Sequence, residues 1–354
     1  MCRSALNCFI PPHVLTHLIE HGRDEERARA LATLTNDFGL RAARVQNAKQ
    51  RGRGPREGAD AMATLAPPGP DRRIRNVEHH WSVTLGPFTR REGDTQTGDR
   101  HTDEAYDGLG DTYAFFAEVF GRNSIDDEGM PLRGVVHFGT NYDNAFWDGR
   151  RMVFGDGDGF YFHRFTRDLD VIGHELGHGV TEDENALEYF GQSGALNEHL
   201  SDVWGSLVQQ YKDSQTADEA NWLIGDRIVN RQNFPGEAIR SMKAPGTAFE
   251  GDIQPRHWRD YVRTSDDFGG VHINSGIPNH AFYTVATTLG GNTWERTGRI
   301  WYEAARHPNL RPTATFRQFA RITVLVAQQL YGATSDEVEA VRKGWDKAGV
   351  HFAE

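Results

Sequence analysis

Cysteine is nearly absent from this sequence. The 354 residues contain only Cys2 and Cys8, so no disulfide framework can hold the body of the chain together. Extra stability must therefore come from packing or from bound ions. Long apolar runs are also missing, and a membrane span is not expected.

An excess of basic residues is missing as well. The formal net charge is −11, and the basic-rich stretch at residues 41–56 indicates an exposed linker. A nucleic-acid partner is not expected, because phosphate contacts need a basic face. A classical signal peptide is not visible either. We therefore expect a precursor made in the cytoplasm, which would need another route for secretion.

The first part of the chain differs in pattern from the rest. Residues 1–50 carry apolar positions at helical spacing, broken at Gly22 and Gly39, and predict a short helical segment. Residues 51–72 are rich in Gly, Pro and Arg, which predicts a flexible linker that contains a processing site.

The remaining sequence predicts an α+β fold of two lobes. Residues 73–165 mix β-prone runs at 81–85 and 135–138 with turns and one helix at 103–120. Residues 166–354 form an α-helical lobe in this interpretation. Its predicted helices are 168–181, 194–211, 279–289, 297–305, 315–331 and 335–348.

A metal-binding pattern lies in the first of these helices. His174 and His178 are four residues apart, so both imidazoles project from one face and can reach a single zinc ion at about 2.0–2.1 Å. Glu175 points to the neighbouring sector, where it can take a proton from the water that the metal binds. The sequence thus predicts a catalytic zinc centre.

The next helix supplies candidate partners for this centre. Glu198 can act as the third zinc ligand and leave the fourth position open. Asp202, one turn later, can accept the free N–H of a ligating imidazole. The alternative is that both acids lie on a solvated helix face. A third histidine six residues after His178 is absent, since that position is Glu184, which disfavours the astacin and matrix-protease arrangement.

Several separated motifs together resemble the thermolysin family of neutral zinc metallopeptidases, from about residue 74 to the C-terminus. The resemblance implies the two-lobe thermolysin-like fold with the zinc-binding helix between the lobes. The motifs are Asn144-Ala145-Phe146-Trp147, residues 155–159, His174-Glu175-x-x-His178, residues 194–198 and residues 269–276. Asp156 and Asp158 within residues 155–159 are interpreted as turn residues rather than calcium ligands.

The resemblance assigns substrate-binding roles. Asn144, Ala145 and Trp147 would hold the backbone of a peptide substrate added as a strand. The alternative for this segment is an ordinary aromatic core strand. Arg240 would bind the substrate carbonyl.

The resemblance also assigns catalytic roles. Tyr189 and His272 would donate hydrogen bonds to the oxyanion of the tetrahedral intermediate. Asp267 would orient His272, and Asn197 would hold His178.

A calcium site near the centre is expected to be incomplete. Asp170 and Asp226 stand where the family has acidic ligands, but Gln209, Asn221 and Leu223 replace other acids. The pattern predicts one weak calcium ion or none.

The N-terminal segment resembles the short propeptide of protealysin-like members. Pro11-Pro12 forms a stiff extended element that could occupy a cleft at little entropic cost, so the segment is expected to act as an internal inhibitor. Cys8 could give a thiolate to the open zinc position. The alternative is a small apolar residue packed against the body.

The function that these features indicate is an endopeptidase of peptide or protein substrates. The resemblance implies cleavage on the amino side of bulky hydrophobic residues and an extracellular setting. An exopeptidase is disfavoured because no Gly-x-Met-x-Asn motif is evident. A non-catalytic zinc-stabilised binding protein is disfavoured because structural zinc usually has four protein ligands.

Overall fold

The computed structural model describes residues 7–50 and 69–351, without the side chains of residue 7 and residues 41–50. The chain forms two compact units, Met1–Arg167 and Asp168–Glu354. The sequence placed its lobe boundary after residue 165. Most of the predicted linker with its processing site, residues 51–68, lies outside the described residues, whereas Arg72 already begins a strand.

The first unit begins with a strand and two helices. Strand β1 is Asn7–Cys8, α1 is Pro12–His21 and α2 is Asp24–Gln50. Proline at the start of α1 suits its missing N–H, and the helix ends at Gly22 as predicted. Gly39, by contrast, lies inside α2, so the predicted break there is wrong. One glycine costs a helix only about 1 kcal/mol, which the strong helix formers around it offset.

A six-stranded sheet forms the centre of this unit. Its other strands are β2 (Arg72–Asn76), β3 (Phe88–Arg91), β4 (Leu132–Val136), β5 (Ala145–Trp147) and β6 (Met152–Phe154). The spatial order is β1-β5-β6-β4-β2-β3. The strands β2, β4 and β6 are parallel, and the remaining pairs are antiparallel. Helix α3, Arg100–Phe120, packs its apolar face on β2 and β4.

The β-prone run 81–85 is not a strand, so that prediction is wrong. Trp81 instead places its ring against Phe138 and Tyr142, with centroids 5.4 and 5.6 Å apart. Aromatic packing has overridden strand propensity, which depends strongly on context.

The second unit is mainly helical, as the sequence predicts. Its helices are α4 (Leu169–Glu184), α5 (Gly191–Lys212), α6 (Asp267–Asn274), α7 (Gly276–Leu289), α8 (Thr297–Ala305), α9 (Phe316–Tyr331) and α10 (Asp336–Lys347). Two short strands, β7 (Leu223–Ile224) and β8 (Arg240–Ser241), pair antiparallel. The six predicted helices are confirmed to within a few residues, and the α+β class is confirmed, whereas α6 was not predicted.

Three glycines bring α4 and α5 into close antiparallel contact. A Cβ atom on Gly173 would lie 3.0 Å from the Cα of Gly205, and one on Gly205 would lie 2.4 Å from the carbonyl oxygen of Asp170. A Cβ on Gly177 would lie 2.8 Å from Trp204. Any larger residue would therefore push the helices apart. This approach places the side chains of α5 against those of α4.

Candidate zinc centre

The two histidines of α4 point at each other. Both side chains are buried, and their Nε2 atoms are 3.1 Å apart. Each Nδ1 faces an acceptor on α5: His174 faces Asp202 Oδ1 at 2.8 Å, and His178 faces Asn197 Oδ1 at 2.7 Å. These acceptors favour a proton on Nδ1 and leave the lone pairs on Nε2.

Glu198 completes the cluster from α5. Its carboxylate oxygens lie 3.6 Å from Nε2 of His174 and 3.5 Å from Nε2 of His178. Tetrahedral ligands about 2.0–2.2 Å from a zinc ion are separated by roughly 3.3–3.6 Å. Oε2 of Glu198 is buried and accepts no hydrogen bond from the described residues.

These donor atoms fit a zinc ion. Two imidazole nitrogens and a carboxylate face one another in a buried space, and a cation between them would offset the cost of burying these groups. Burial also lowers the pKa of His178 to about 3, which keeps that imidazole neutral and able to ligate. Three protein ligands leave one position open, as catalytic zinc sites require.

Glu175 lies beside this cluster. Its side chain is buried, and one carboxylate oxygen lies within 4.8 Å of ligating nitrogens of both His174 and His178. Because it follows His174 directly on the helix, it occupies the adjacent sector. This is where a carboxylate can accept a proton without coordinating the ion.

Tyr189 and His272 meet on the other side of Glu198. The Tyr189 hydroxyl lies 3.2 Å from Nε2 of His272 and donates to Glu198 Oε1. Nε2 of His272 is 3.5 Å from Glu198 Oε2. Asp267 accepts from the backbone N–H of His272 at 2.8 Å and contacts its Nδ1 at 2.6 Å. Both donors are thus fixed close to the metal ligands.

A run of residues with left-handed backbone conformation brings Asp267 into contact with His272. The residues from Asp267 to Gly270 have φ values of 50°, 52°, 84° and 76°. At Gly270, a Cβ atom would lie 2.7 Å from the side chain of Asn274, so only glycine fits. The Gly269-Gly270 pair of the sequence motif therefore allows the left-handed backbone that brings Asp267 to His272.

Arg240 has a partner that the sequence did not predict. Its guanidinium binds Asp202 through Nε at 3.1 Å and Nη2 at 2.9 Å. Burial raises the pKa of the Asp202 carboxyl, but Arg240 and His174 outweigh it and hold that pKa below its usual range. Arg240 thus keeps ionised the carboxylate that orients His174. Its contact with substrate stays a prediction.

A buried polar chain behind Asp202 was also missed. Asn279 Nδ2 donates to Asp202 Oδ2 at 2.8 Å, and its Oδ1 lies 2.7 Å from Nδ1 of His199. Trp301 Nε1 donates to Nε2 of His199 at 2.8 Å, which fixes the tautomer. Burial lowers the pKa of His199 to about 4, so it stays neutral. The only sequence signal for this polar chain was Asn279, a polar residue on the apolar face of α7.

Three acids gather at the start of α4. Asp170 and Asp226, the predicted calcium candidates, are joined by Asp168, and the three offer oxygens within 4.8 Å of one another. Burial, and then the charge of Asp226, raise the pKa of Asp168 to about 6. Crowded carboxylates of this kind suit a hard cation such as Ca²⁺. Asp168 stands two residues before Asp170, and this close spacing of two acids is the sequence signal for it.

The predicted substrate-binding strand holds the chain's own N-terminal segment. Asn144 Oδ1 accepts from Ile10 N–H at 2.8 Å, and its Nδ2 donates to Ile10 O at 3.3 Å. The N–H of Phe9 donates to Ala145 O at 3.0 Å. Trp147 pairs with Asn7 in the sheet register. Substrate contacts of this strand stay a prediction.

Cys8 lies inside the first unit. Its side chain is 1% exposed and belongs to an apolar cluster with Val77, Val135 and Phe146. An apolar surrounding disfavours a thiolate, so this position favours the packing alternative over the zinc-ligand hypothesis.

Two histidines and a glutamate on neighbouring helices, with a second glutamate beside them, define a zinc-dependent hydrolase site. The comparisons with known proteins agree. The model of the thermolysin metallopeptidase catalytic domain matches residues 74–182, and that of its alpha-helical domain matches residues 185–350. The chain belongs to the thermolysin family, as a protealysin-like member, and is a zinc metalloendopeptidase.

Close relatives cover nearly the whole chain. An extracellular metalloprotease of Pectobacterium carotovorum subsp. carotovorum is 44% identical over 96% of this chain and 95% of its own length. Protease PrtS of Photorhabdus sp. (strain Az29) is 41% identical over 98% and 92%. The solved precursor of protealysin from Serratia proteamaculans has a TM-score of 0.85 and 44% identity, covering 98% of this chain and 100% of that one.

Proposed function

We propose that this chain is the precursor of an endopeptidase in which Glu175 is the general base and Tyr189 and His272 stabilise the oxyanion. The observation that carries the proposal is the buried convergence of His174, His178 and Glu198 with Glu175 beside them. Zinc, when bound there, would polarise the scissile carbonyl and lower the pKa of water.

The protein groups have distinct tasks in this proposal. Glu175 accepts a proton from the attacking water and delivers it to the leaving amine. Tyr189 and His272, 3.2 Å apart, donate to the oxygen that becomes negative. Asp202 and Asn197 keep the two imidazoles in the tautomer that exposes Nε2.

Replacing Glu175 with Gln tests the base assignment. The amide has nearly the same shape but cannot accept the proton, so we expect full zinc content and a loss of kcat of about 10²–10⁴-fold or more. Zinc content by mass spectrometry and hydrolysis of a peptide substrate measure the two effects. Retained hydrolysis would refute the assignment, whereas lost zinc would show that Glu175 is a ligand.

The N-terminal segment acts as an inhibitor in this proposal. Ile10 binds Asn144 and Phe9 binds Ala145, the residues to which the family resemblance assigns the substrate backbone. These hydrogen bonds support the inhibitory role. The precursor and the chain after cleavage in residues 51–72 should differ in activity but not in zinc content. Equal activity would contradict the inhibition.

Three finer properties complete the proposal. Family membership supports cleavage on the amino side of bulky hydrophobic residues, which a peptide series varied at that position would test. The acids at the start of α4 support one calcium ion. The extracellular metalloprotease among the relatives supports release of this enzyme from the cell, and activity in culture medium against that in washed cells would test it. No helix in residues 7–50 and 69–351 is long and apolar enough to cross a membrane.

A further inference from the structure

A second group of metal-ligating side chains lies in the first unit. His79, His137 and Asp156 each offer one ligand atom, and these three atoms lie within 4.8 Å of one another. Nδ1 of His79 is 3.5 Å and Nδ1 of His137 is 2.8 Å from Asp156 Oδ2. We infer that this group, with His101 beside it, is a second binding site for a divalent transition-metal ion such as zinc.

His101 lies beside the other oxygen of the Asp156 carboxylate. Its Nδ1 lies 3.1 Å from Asp156 Oδ1. Both atoms are buried, and neither has a hydrogen-bond partner among the described residues. At 3.1 Å the two groups form an ion pair when His101 is protonated, and a divalent cation that replaced this proton would be shared by the nitrogen and the oxygen.

Asp99 orients His137 for metal binding. Its carboxylate lies 3.2 Å from Nε2 of His137 and holds the proton there, so a metal ion would displace only the proton that Nδ1 shares with Asp156 at 2.8 Å. The same carboxylate accepts from the backbone of His101 and Thr102 as the N-cap of α3. The carboxylate of Asp99 already accepts these hydrogen bonds, so we assign it to orienting the imidazole of His137 rather than to binding the ion. Carboxylate–histidine–metal arrangements of this kind are usual in zinc sites.

The ligand set selects the class of metal. Two imidazoles and one carboxylate, with a third imidazole nearby, match Zn²⁺, Ni²⁺ or Cu²⁺, whereas Ca²⁺ and Mg²⁺ need more oxygen ligands. The ligands come from four separate segments: the turn after β2, the first turn of α3, the end of β4 and the loop after β6. A metal here would link these segments, so its role is to stabilise the first unit.

Metal stoichiometry tests the inference directly. The full chain, made without a histidine tag and with Glu175→Gln to prevent self-digestion, is equilibrated with a small excess of Zn²⁺, desalted and analysed for zinc. We expect two ions per chain. Asp156→Asn should leave one, and so should His137→Asn, because asparagine tolerates the left-handed backbone at position 137, where φ is 56°.

Matched controls separate this site from the catalytic one. His80→Asn changes an exposed neighbouring histidine and should retain two ions. Asp156→Asn on the wild-type background should retain peptidase activity after processing. Zinc should raise the melting temperature of the Glu175→Gln chain but raise it less when Asp156→Asn is added. One zinc per chain without these substitutions, or two in both substituted chains, would overturn the inference; the cluster would then be held by protons alone.

Discussion

Asn144 binds both backbone groups of Ile10 with one side-chain amide, accepting at 2.8 Å and donating at 3.3 Å. The same Nδ2 donates to Asp37 Oδ2 at 2.8 Å, and Tyr142 donates to Asp37 Oδ1 at 2.5 Å. Asp37 lies on α2, within the segment that processing would remove. A carboxylate that a processed enzyme would lack thus fastens the N-terminal segment.

Replacing Asp37 with Ala should weaken the docking of this segment. The change removes one acceptor from the buried amide of Asn144 and one from the hydroxyl of Tyr142, at a cost of about 1–3 kcal/mol. That corresponds to a roughly 5–150-fold rise in the dissociation constant of the cleaved segment. Inhibition of the processed enzyme by wild-type and D37A segments measures the ratio.

The mature enzyme provides a strict control for this substitution. Because the proposed processing would remove residue 37, mature enzyme from both precursors should have the same kcat/KM. Glu25→Gln changes an exposed acid on the same helix and should leave the dissociation constant unchanged. Equal inhibition by the wild-type and D37A segments would show that Asp37 does not fasten the precursor.

Docking of the segment should also depend on pH through Asp143. Burial, and then the charges of Asp158 and Asp37, raise the pKa of Asp143 well above its ordinary value, and Arg29 opposes this only partly. Undocking removes α2 from Asp143, so this pKa should fall towards its ordinary value. Docking of the segment is therefore accompanied by uptake of a proton. The affinity is highest at a pH below the ordinary pKa of Asp143 and falls as the pH rises through its raised pKa.

Dissociation constants of the cleaved segment across this pH range test the sign. Affinity should fall as the pH rises, and Asp143→Asn should flatten the dependence because the amide cannot ionise. Glu25→Gln should keep the slope of the wild-type segment. An affinity that rises with pH would contradict the assignment to Asp143.

Tyr189 and His272 should act on kcat rather than on KM. Tyr189→Phe removes one oxyanion donor and should lower kcat by about 10²–10³-fold, because such donors matter most in the transition state. His272→Ala should have an effect of similar size. Steady-state kinetics at full zinc occupancy separate the change in kcat from the change in KM. Tyr331→Phe on α9 is the matched control. A rise in KM with unchanged kcat would assign both groups to substrate binding instead.

The sequence could bring His174, His178 and Glu198 together because helix geometry fixes their positions. His174 and His178 must share a face at their spacing, and the apolar face of the next helix determines where Glu198 points. The long helices were found for the same reason, since their periodicity is strong over many residues.

Contacts between distant segments could not be predicted in this way. Arg240 on Asp202, and Asn279 between Asp202 and His199, join residues that are 38 to 80 positions apart. Spacing carries no information at such separations without the fold. The left-handed backbone of α6 and the aromatic packing of Trp81 similarly depend on tertiary neighbours, which local propensity does not contain.

The substitution D226N should have opposite effects on stability without and with calcium. In the metal-free protein, Asp226 raises the pKa of Asp168 by repulsion, so D226N should melt at a higher temperature than the unsubstituted chain. With Ca²⁺ at about 100 times its Kd, the unsubstituted chain should gain about 2.7 kcal/mol, a shift of several degrees, and D226N should gain little. Melting at constant Zn²⁺ in the Glu175→Gln background measures both effects, with the exposed Asp218→Asn as control. If calcium stabilises D226N as much as the unsubstituted chain, the ion binds elsewhere.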